Sequence, residues 1–281
     1  MKTISVPGQL RRRCDELRAA GRALGFVPTM GYLHQGHLSL VRRARELSDE
    51  VVVSIFVNPT QFSAGEDLGR YPRDPEGDAT KCREAGVSLL FAPDGAAIYP
   101  AGYQTYVQVE QLSQGLCGAR RPGHFRGVCT VVAKLLNIVG PCVAVFGEKD
   151  YQQLQVVRRM VEDLALPVRI EGAPIVREPD GLARSSRNAY LQGADRAAAT
   201  CLYRGLQAVE AAVRRGGELS ADEARRLVEA VIEAEPRARL EYVELRHPAT
   251  LEPVERVGPG QAVVLVAARV GQTRFIDNLV L

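Results

Sequence analysis

Four short stretches carry most of the side chains that could act on a charged substrate. In PTMGYLHQGH (28–37), His34 and His37 lie three residues apart among glycines, in a chain with only 4 histidines. GEKD (147–150) holds Lys149, one of four lysines in a chain that otherwise uses arginine as its cation. GLARSSRNAYL (181–191) presents Ser185 and Ser186 between Arg184 and Arg187, and NPTQF (58–62) offers the amides of Asn58 and Gln61. Ring N–H groups beside a helix N-terminus suit an anion, because the first turn already offers unpaired backbone N–H groups and a positive dipole end. A lysine head acts as a mobile point charge on a phosphate chain. Hydroxyls combined with guanidinium forks stabilise charge that develops on a departing pyrophosphate. Three of the stretches also have a structural explanation: a histidine packed at a helix cap, a lysine paired with Glu148 or Asp150 or an Asp150 N-cap, and a solvated, capped helix start within 181–191.

These stretches need a scaffold that gathers them. ALGFV (23–27), VVVSIFV (51–57), VSLLFAP (87–93), CVAVFG (142–147) and VRIEGAPIV (168–176) read as strands, and the continuous β-branched run at 51–57 suits a strand buried on both faces. Helical patterns lie between them: 37–49 with Leu38, Val41, Ala44 and Leu47 on one stripe, then about 74–85, 125–138 and 150–164. Alternation of this kind predicts right-handed βαβ crossovers and a Rossmann-like, doubly wound parallel sheet. Ligands of such sheets bind beyond the carboxyl ends of the strands, where three of the four stretches fall. After APIVREPDG the texture changes to two helical stretches (193–215 and 220–234) and three strand-like runs (240–246, 262–270 and 273–281), which predicts a smaller α+β domain. The expected domains are 1–175 and 176–281.

Composition removes several function classes. The 281 residues are 46% hydrophobic, enough for a sizeable core, and 36 basic against 33 acidic side chains leave a net charge of only +3. That balance does not call for nucleic acid, and no run of 18 apolar residues calls for a membrane. The start MKTISVPGQLRRRCDE lacks the apolar core of a signal peptide, and the 6 cysteines form no C-x-x-C pair, so a cytoplasmic protein is expected. Neither G-x-G-x-x-G nor G-x-x-x-x-G-K-[ST] occurs, so any nucleotide is held by other means.

PTMGYLHQGH resembles the "HIGH" signature of class I aminoacyl-tRNA synthetases and nucleotidylyltransferases, and ARSSRN resembles a degenerate "KMSKS" loop. PTMGYLHQGH, SIFVNPTQF, YPRD, RPGHFRGV, FGEKDYQQL and LARSSRN occur in that order across residues 28 to 191. Together they closely resemble the pantothenate synthetase (pantoate–β-alanine ligase) family. The resemblance implies an enzyme that joins pantoate to β-alanine through a pantoyl adenylate, with release of pyrophosphate and AMP. It implies ATP held by Met30, Gly31, Tyr32, Leu33, His34, Gln35, Gly36 and His37, by Gly147, Glu148, Lys149 and Asp150, and by Val176 through its backbone. Arg184, Ser185, Ser186 and Arg187 would close over the phosphates, and His34, His37, Lys149, Ser185, Ser186 and Arg187 would be the catalytic set. Gln61 and Gln153, with Asn58, Tyr71, Arg73 and Arg121, would serve pantoate and β-alanine. Mg²⁺ would bridge the phosphates, and Asp78 is the candidate ligand in YPRDPEGD, where Gly77 interrupts the family's adjacent acids. A homodimer is also implied.

Two other readings compete with this one. The chain could transfer a nucleotide to a phosphorylated acceptor, although paired glutamines and a second domain suit a carboxylate acceptor better. RRRCDELR (11–18) and GARRPGHFRG (118–127) are basic enough to suggest RNA, but aromatics are 6% of the chain and Trp is absent, so stacking platforms are few.

Overall fold

The computed structural model describes residues 1–63 and 65–281. It begins with two elements that the hydrophobic pattern does not announce. Lys2–Ile4 forms a three-residue strand (β1) and Pro7–Ala19 a helix (α1) that buries Leu10, Cys14 and Leu17. The arginines of RRRCDELR lie on the outer side of this helix: Arg13 pairs with Glu16, Arg18 with Asp15, and Arg11 donates to the Asn137 carbonyl. The histidine loop therefore follows the second strand and precedes the second helix.

The chain continues as β2 (Leu24–Thr29), α2 (Gln35–Leu47), β3 (Glu50–Ile55), α3 (Pro75–Glu84) and β4 (Leu89–Phe91). Two short helices follow, α4 (Gly95–Ile98) and α5 (Leu116–Arg120), then α6 (His124–Val139), β5 (Cys142–Gly147), α7 (Tyr151–Asp163) and β6 (Val168–Ala173). The strands form one sheet in the order β1-β4-β3-β2-β5-β6, and every neighbouring pair is parallel. This is the doubly wound sheet expected from the sequence. Val51, Val52, Val53 and Ser54 of β3 are all buried, as the unbroken apolar run requires. β2 runs one residue beyond Pro28, whose missing N–H matters little at a strand end. On α2 the buried residues are Leu40, Val41 and Ala44, so the core-facing stripe lies to one side of the expected one through Leu38 and Leu47.

The remainder is an α+β arrangement: α8 (Gly193–Ala198), α9 (Cys201–Gly216), β7 (Leu219–Ser220), α10 (Ala221–Glu233), β8 (Ala238–Arg246), β9 (Arg256–Val257), β10 (Val263–Val270) and β11 (Thr273–Val280). β8, β10 and β11 form an antiparallel sheet in the order β11-β10-β8, and β7 pairs with β9. The expected helix over 193–215 is two helices, α8 and α9, with Ala199 and Thr200 between them. Leu202, Leu206 and Val209 of α9 share a core with Ala224, Val228 and Ile232 of α10 and with Val264, Val266 and Ala268 of β10. By packing, one unit comprises Met1–Glu148 with Gln152–Pro174, and the other Lys149–Tyr151 with Ile175–Leu281. No helix among the described residues is long and apolar enough to cross a membrane.

Candidate active site

Within the first unit, β2 pairs with β3 on one side and β5 on the other, and the chain from β3 to β4 moves away before β5 returns. That makes the β2–β5 boundary the topological switch point, the place where a doubly wound sheet opens a crevice. The chain leaves β2 at Thr29 and turns through Gly31 (φ +84°) and Tyr32 (φ +52°) into α2. A tyrosine in the left-handed region is unfavourable unless its surroundings enforce it. Asp78 does so: its two carboxylate oxygens accept the Tyr32 and Leu33 amides, each at 2.7 Å, and the residue is 1% exposed. Charge-assisted bonds of this kind are roughly twice as strong as neutral ones. Asp78 thus braces the histidine loop. Gly77 also has a structural reason: a Cβ there would collide with the Asp74 carboxylate, which caps α3 by accepting the Gly77 amide at 3.0 Å.

Both histidines do cap the helix. His34 is its N-cap and accepts the Gly36 amide on Nδ1 (3.1 Å), while His37 Nδ1 accepts the His34 amide (3.3 Å). The ring centroids are 4.1 Å apart. Because Nδ1 is an acceptor in both rings, each neutral imidazole carries its proton on Nε2, and Nε2–H is the donor it can offer to an anion. Capping thus engages Nδ1 of each ring.

Asn58 is 1% exposed, and its amide makes four hydrogen bonds. Nδ2 donates to Gln61 Oε1 (3.0 Å) and the Gly127 carbonyl (3.2 Å), while Oδ1 accepts from Tyr99 Oη (2.8 Å) and Thr60 Oγ1 (2.9 Å). Burial pushes the Tyr99 phenol up to about 12, so it remains a donor at neutral pH. Four bonds are the full capacity of an amide. Asn58 orients Gln61, whose Nε2 donates to Met30 Sδ at 3.3 Å. The Gln61 carbonyl accepts from His124 Nδ1 (2.8 Å) and Arg121 Nη2 (3.3 Å). His124 Nε2 must then be the acceptor for Arg121 Nη1 at 3.0 Å. The Arg121 fork is engaged by Glu66, with Nε and Nη2 each 2.7 Å from a carboxylate oxygen. Burial raises the Glu66 pKa, but the Arg121 guanidinium outweighs it and holds the carboxyl below its ordinary value. Arg121 is thus a strut for Gln61, and His124, which lies within RPGHFRGV, has a role that the motif alone did not assign.

Tyr71 is buried with its ring edge-on to Phe62, and Arg73 donates to the Tyr71 and Leu68 carbonyls. Of the adjacent glutamines on α7, Gln152 is committed to the 112–117 loop: it donates to the Leu112, Gln114 and Gly115 carbonyls and accepts the Cys117 amide. Gln153 is half-buried.

In the second unit, Lys149 is 20% exposed at its side chain and lies 3.7 Å from Asp150, beyond hydrogen-bond reach. A pair so loose, with its acid half exposed, contributes little to stability. Val176 and Arg184 face each other at the base of a turn, the Arg184 amide donating to the Val176 carbonyl at 2.9 Å. The Arg184 side chain lies 3.4 Å from Glu178, which partly offsets its charge. Ser185 Oγ accepts the Arg187 amide (3.2 Å) and caps the 3₁₀ turn Ser186–Tyr190, while Asn188 Nδ2 donates to the Ala183 carbonyl (3.2 Å). Ser186 is buried.

The model of the pantoate–β-alanine ligase family matches residues 2–280. The chain belongs to this family. It is 55% identical over 280 residues to the pantothenate synthetase of Heliobacterium modesticaldum, covering 100% of this chain and 99% of that protein. The pantothenate synthetase of Myxococcus xanthus is 58% identical over 267 residues, covering 94% and 90% of the two chains. Among solved structures, pantothenate synthetase from Thermus thermophilus superimposes with a TM-score of 0.92 at 52% identity, covering 99% of both chains. The pantoate–β-alanine ligase of Francisella tularensis, solved with beta-gamma ATP and β-alanine, gives 0.80 at 32% identity, covering 100% of this chain and 97% of that one. The ligase expected from six ordered motifs is thus the family to which the whole chain belongs.

Proposed function

We propose that this chain makes pantothenate in two half-reactions, with the residues above divided between them. A pantoate carboxylate oxygen attacks the α-phosphorus of ATP, the bond to the β-phosphate oxygen breaks, and pyrophosphate leaves. The β-alanine amine then attacks the acyl carbon of the adenylate, AMP leaves with the bonding electron pair, and the nitrogen loses a proton to form the amide. Neither step requires a protein nucleophile, so catalysis rests on alignment of the reactants and on stabilisation of the leaving groups.

In this reading the Nε2–H donors of His34 and His37 meet phosphate oxygens beside the N-terminus of α2, and Lys149, Ser185, Ser186 and Arg187 offset charge on the departing pyrophosphate. Met30 lies beside the adenosine, the Val176 backbone receives the adenine, and Gln61 and Gln153 hold pantoate. The observation that carries the proposal is the histidine loop itself. Its two imidazoles are locked into donor tautomers beside a helix N-terminus that opens at the switch point of the sheet.

Mg²⁺ belongs to the same reading, where it would neutralise and orient the phosphates. No three His, Cys, Asp or Glu side chains among the described residues are grouped to hold a metal, and the Asp78 oxygens each accept an amide. In this reading the ion would be held mostly by phosphate oxygens and water, the usual preference of Mg²⁺. A cytoplasmic location fits the use of ATP and the thiols of six free cysteines, and a homodimer is carried over from the family resemblance.

The test is pyrophosphate release from ATP and Mg²⁺ with pantoate, followed by addition of β-alanine. Pantoate-dependent pyrophosphate and then β-alanine-dependent AMP and pantothenate are expected. Folded, ATP-binding protein that releases no pyrophosphate with pantoate would redirect the assignment to another carboxylate or phosphate acceptor.

A further inference from the structure

The last strand, β11, carries two adjacent polar residues, Asp277 and Asn278, that are 4% and 3% exposed in an otherwise apolar setting. They lie opposite Val266 and Leu265 of β10. Asp277 is bound bidentately by Arg177, with Nη1 to Oδ2 at 2.6 Å and Nη2 to Oδ1 at 2.9 Å, and its Oδ1 also accepts the Asn278 amide at 2.8 Å. Asn278 Nδ2 donates to the Lys149 carbonyl at 3.0 Å. Arg177 further donates to the Gly181 carbonyl (3.1 Å) and lies over the Tyr203 ring, 4.0 Å from its centroid. These contacts pin a tight hairpin in which Arg177 bridges Ala183 and the Glu178 amide meets the Leu182 carbonyl. The base of that hairpin is Val176 paired with Arg184, and the chain runs directly from it into Ser185, Ser186 and Arg187.

We propose that Asp277 and Asn278 are positioning residues for the nucleotide half-site of the second unit, one setting the Val176–Arg184 hairpin through Arg177 and the other setting the Lys149 backbone. This deepens the reading above and rests on its assignment of Val176 and Lys149 to ATP. Both side chains are too deeply buried to meet a nucleotide themselves. A buried carboxylate–guanidinium pair is also a poor source of stability compared with apolar packing of the same volume, so its orienting effect is the stronger account of its presence. Burial does push the Asp277 carboxyl up, against the opposing influence of Arg177, the Asn278 amide and Lys149. The backbone of the Lys149 segment has a second tether, since Tyr151 Oη donates to the Pro248 carbonyl at 3.0 Å. One strand therefore sets the register of two sequence-distant segments that the proposed function assigns to the same molecule.

The experiment uses the full-length enzyme carrying Asn278→Ala, with Asn278→Leu as a variant that keeps the volume and removes the donor. Three quantities are measured with ATP, pantoate and separately supplied pantoyl adenylate: the KM for ATP in pyrophosphate release, the KM for pantoate, and the rate of amide formation from the adenylate with β-alanine. The expected result is an ATP KM raised about fivefold or more, the scale of a lost hydrogen bond, with the other two quantities changed less than about twofold. An unchanged ATP KM in folded variants overturns the proposal. So does a parallel fall in both half-reactions, which marks a general structural role. Lys149→Ala in the same assay separates the two levels. If it leaves the ATP dependence unchanged, the ATP assignment of Lys149 fails. If it raises the ATP KM or slows pyrophosphate release while the Asn278 variants match wild type, only the positioning role fails.

Discussion

The histidine loop of the first unit and the ARSSRN turn of the second are held in contrasting ways. The loop at 30–37 is braced by a buried carboxylate 45 and 46 positions away in sequence, and it offers neutral ring donors and backbone amides. The turn at 184–190 is closed by short-span bonds, such as Arg184 to Val176, Asn188 to Ala183 and Ser185 to Arg187, on a hairpin that the Arg177–Asp277 pair holds from 100 positions away, and it presents cations and hydroxyls. A loop braced directly keeps its geometry when substrate is absent, whereas a turn whose own bonds are short-span can move as one piece on its hairpin. Under the proposed function, the loop would supply preorganised dipoles and the turn would supply charge.

The largest effect should come from removing charge in the second half. Lys149→Ala is expected to slow pantoate-dependent pyrophosphate release ~10²-fold or more, the scale of a lost transition-state donor. Near wild-type turnover with folding preserved would remove Lys149 from the machinery. In the first half, Asp78→Asn leaves one of two buried amides facing an NH₂ group and should cost ~1–3 kcal/mol of stability. With the Tyr32 turn relaxed, pyrophosphate release should fall ~10-fold, since small misplacements of reacting groups are costly. Full activity and an unchanged denaturant midpoint would show that the brace is not needed.

Smaller effects should separate the two halves by mobility. Saturating ATP is expected to suppress proteolytic cleavage within 176–191 several-fold and to leave cleavage near 30–37 unchanged, because the braced loop is already ordered. Equal protection of both, or of neither, would erase the distinction. The smallest effect concerns the strut beneath Gln61. The folded-state pKa of Glu66 lies below its ordinary value of 4.5, so its contribution to stability is fully present above pH 4.5 and is lost as pH falls through the folded value. Denaturation of wild type and Glu66→Gln across pH 3–7 should give curves that differ by about 1 kcal/mol or less at neutral pH and converge in acid.

Much of the scaffold was legible because its strands are short, largely apolar runs, continuous and β-branched in β3, separated by amphipathic helices, and that pattern admits few topologies. β1 escaped because three residues carry no periodicity. α1 escaped because its arginines masked the Leu10, Cys14 and Leu17 stripe. At the candidate site, residue types and order located the loops, but direction was not readable. Asp78, Asn58 and Arg121 were visible as polar residues in the right motifs, yet only the folded chain shows their hydrogen-bonding capacity directed inward, toward Tyr32, Gln61 and Glu66. Adjacent Asp277 and Asn278 in an apolar strand were a signal that period-two reading passes over, because it scores a face and not a partner.

The burial of the cysteines has a practical consequence. Burial pushes the thiols of Cys82 and Cys129 in the first unit and Cys201 in the second up to about 11. Only a thiolate reacts readily with an alkylating reagent, so in the native protein these positions are silent near neutrality. Labelling then reports the moments when the chain opens around each sulfur. Mass spectrometry of the labelled peptides turns the chain's own cysteines into separate clocks for the opening of its two units, with no probe added to the molecule.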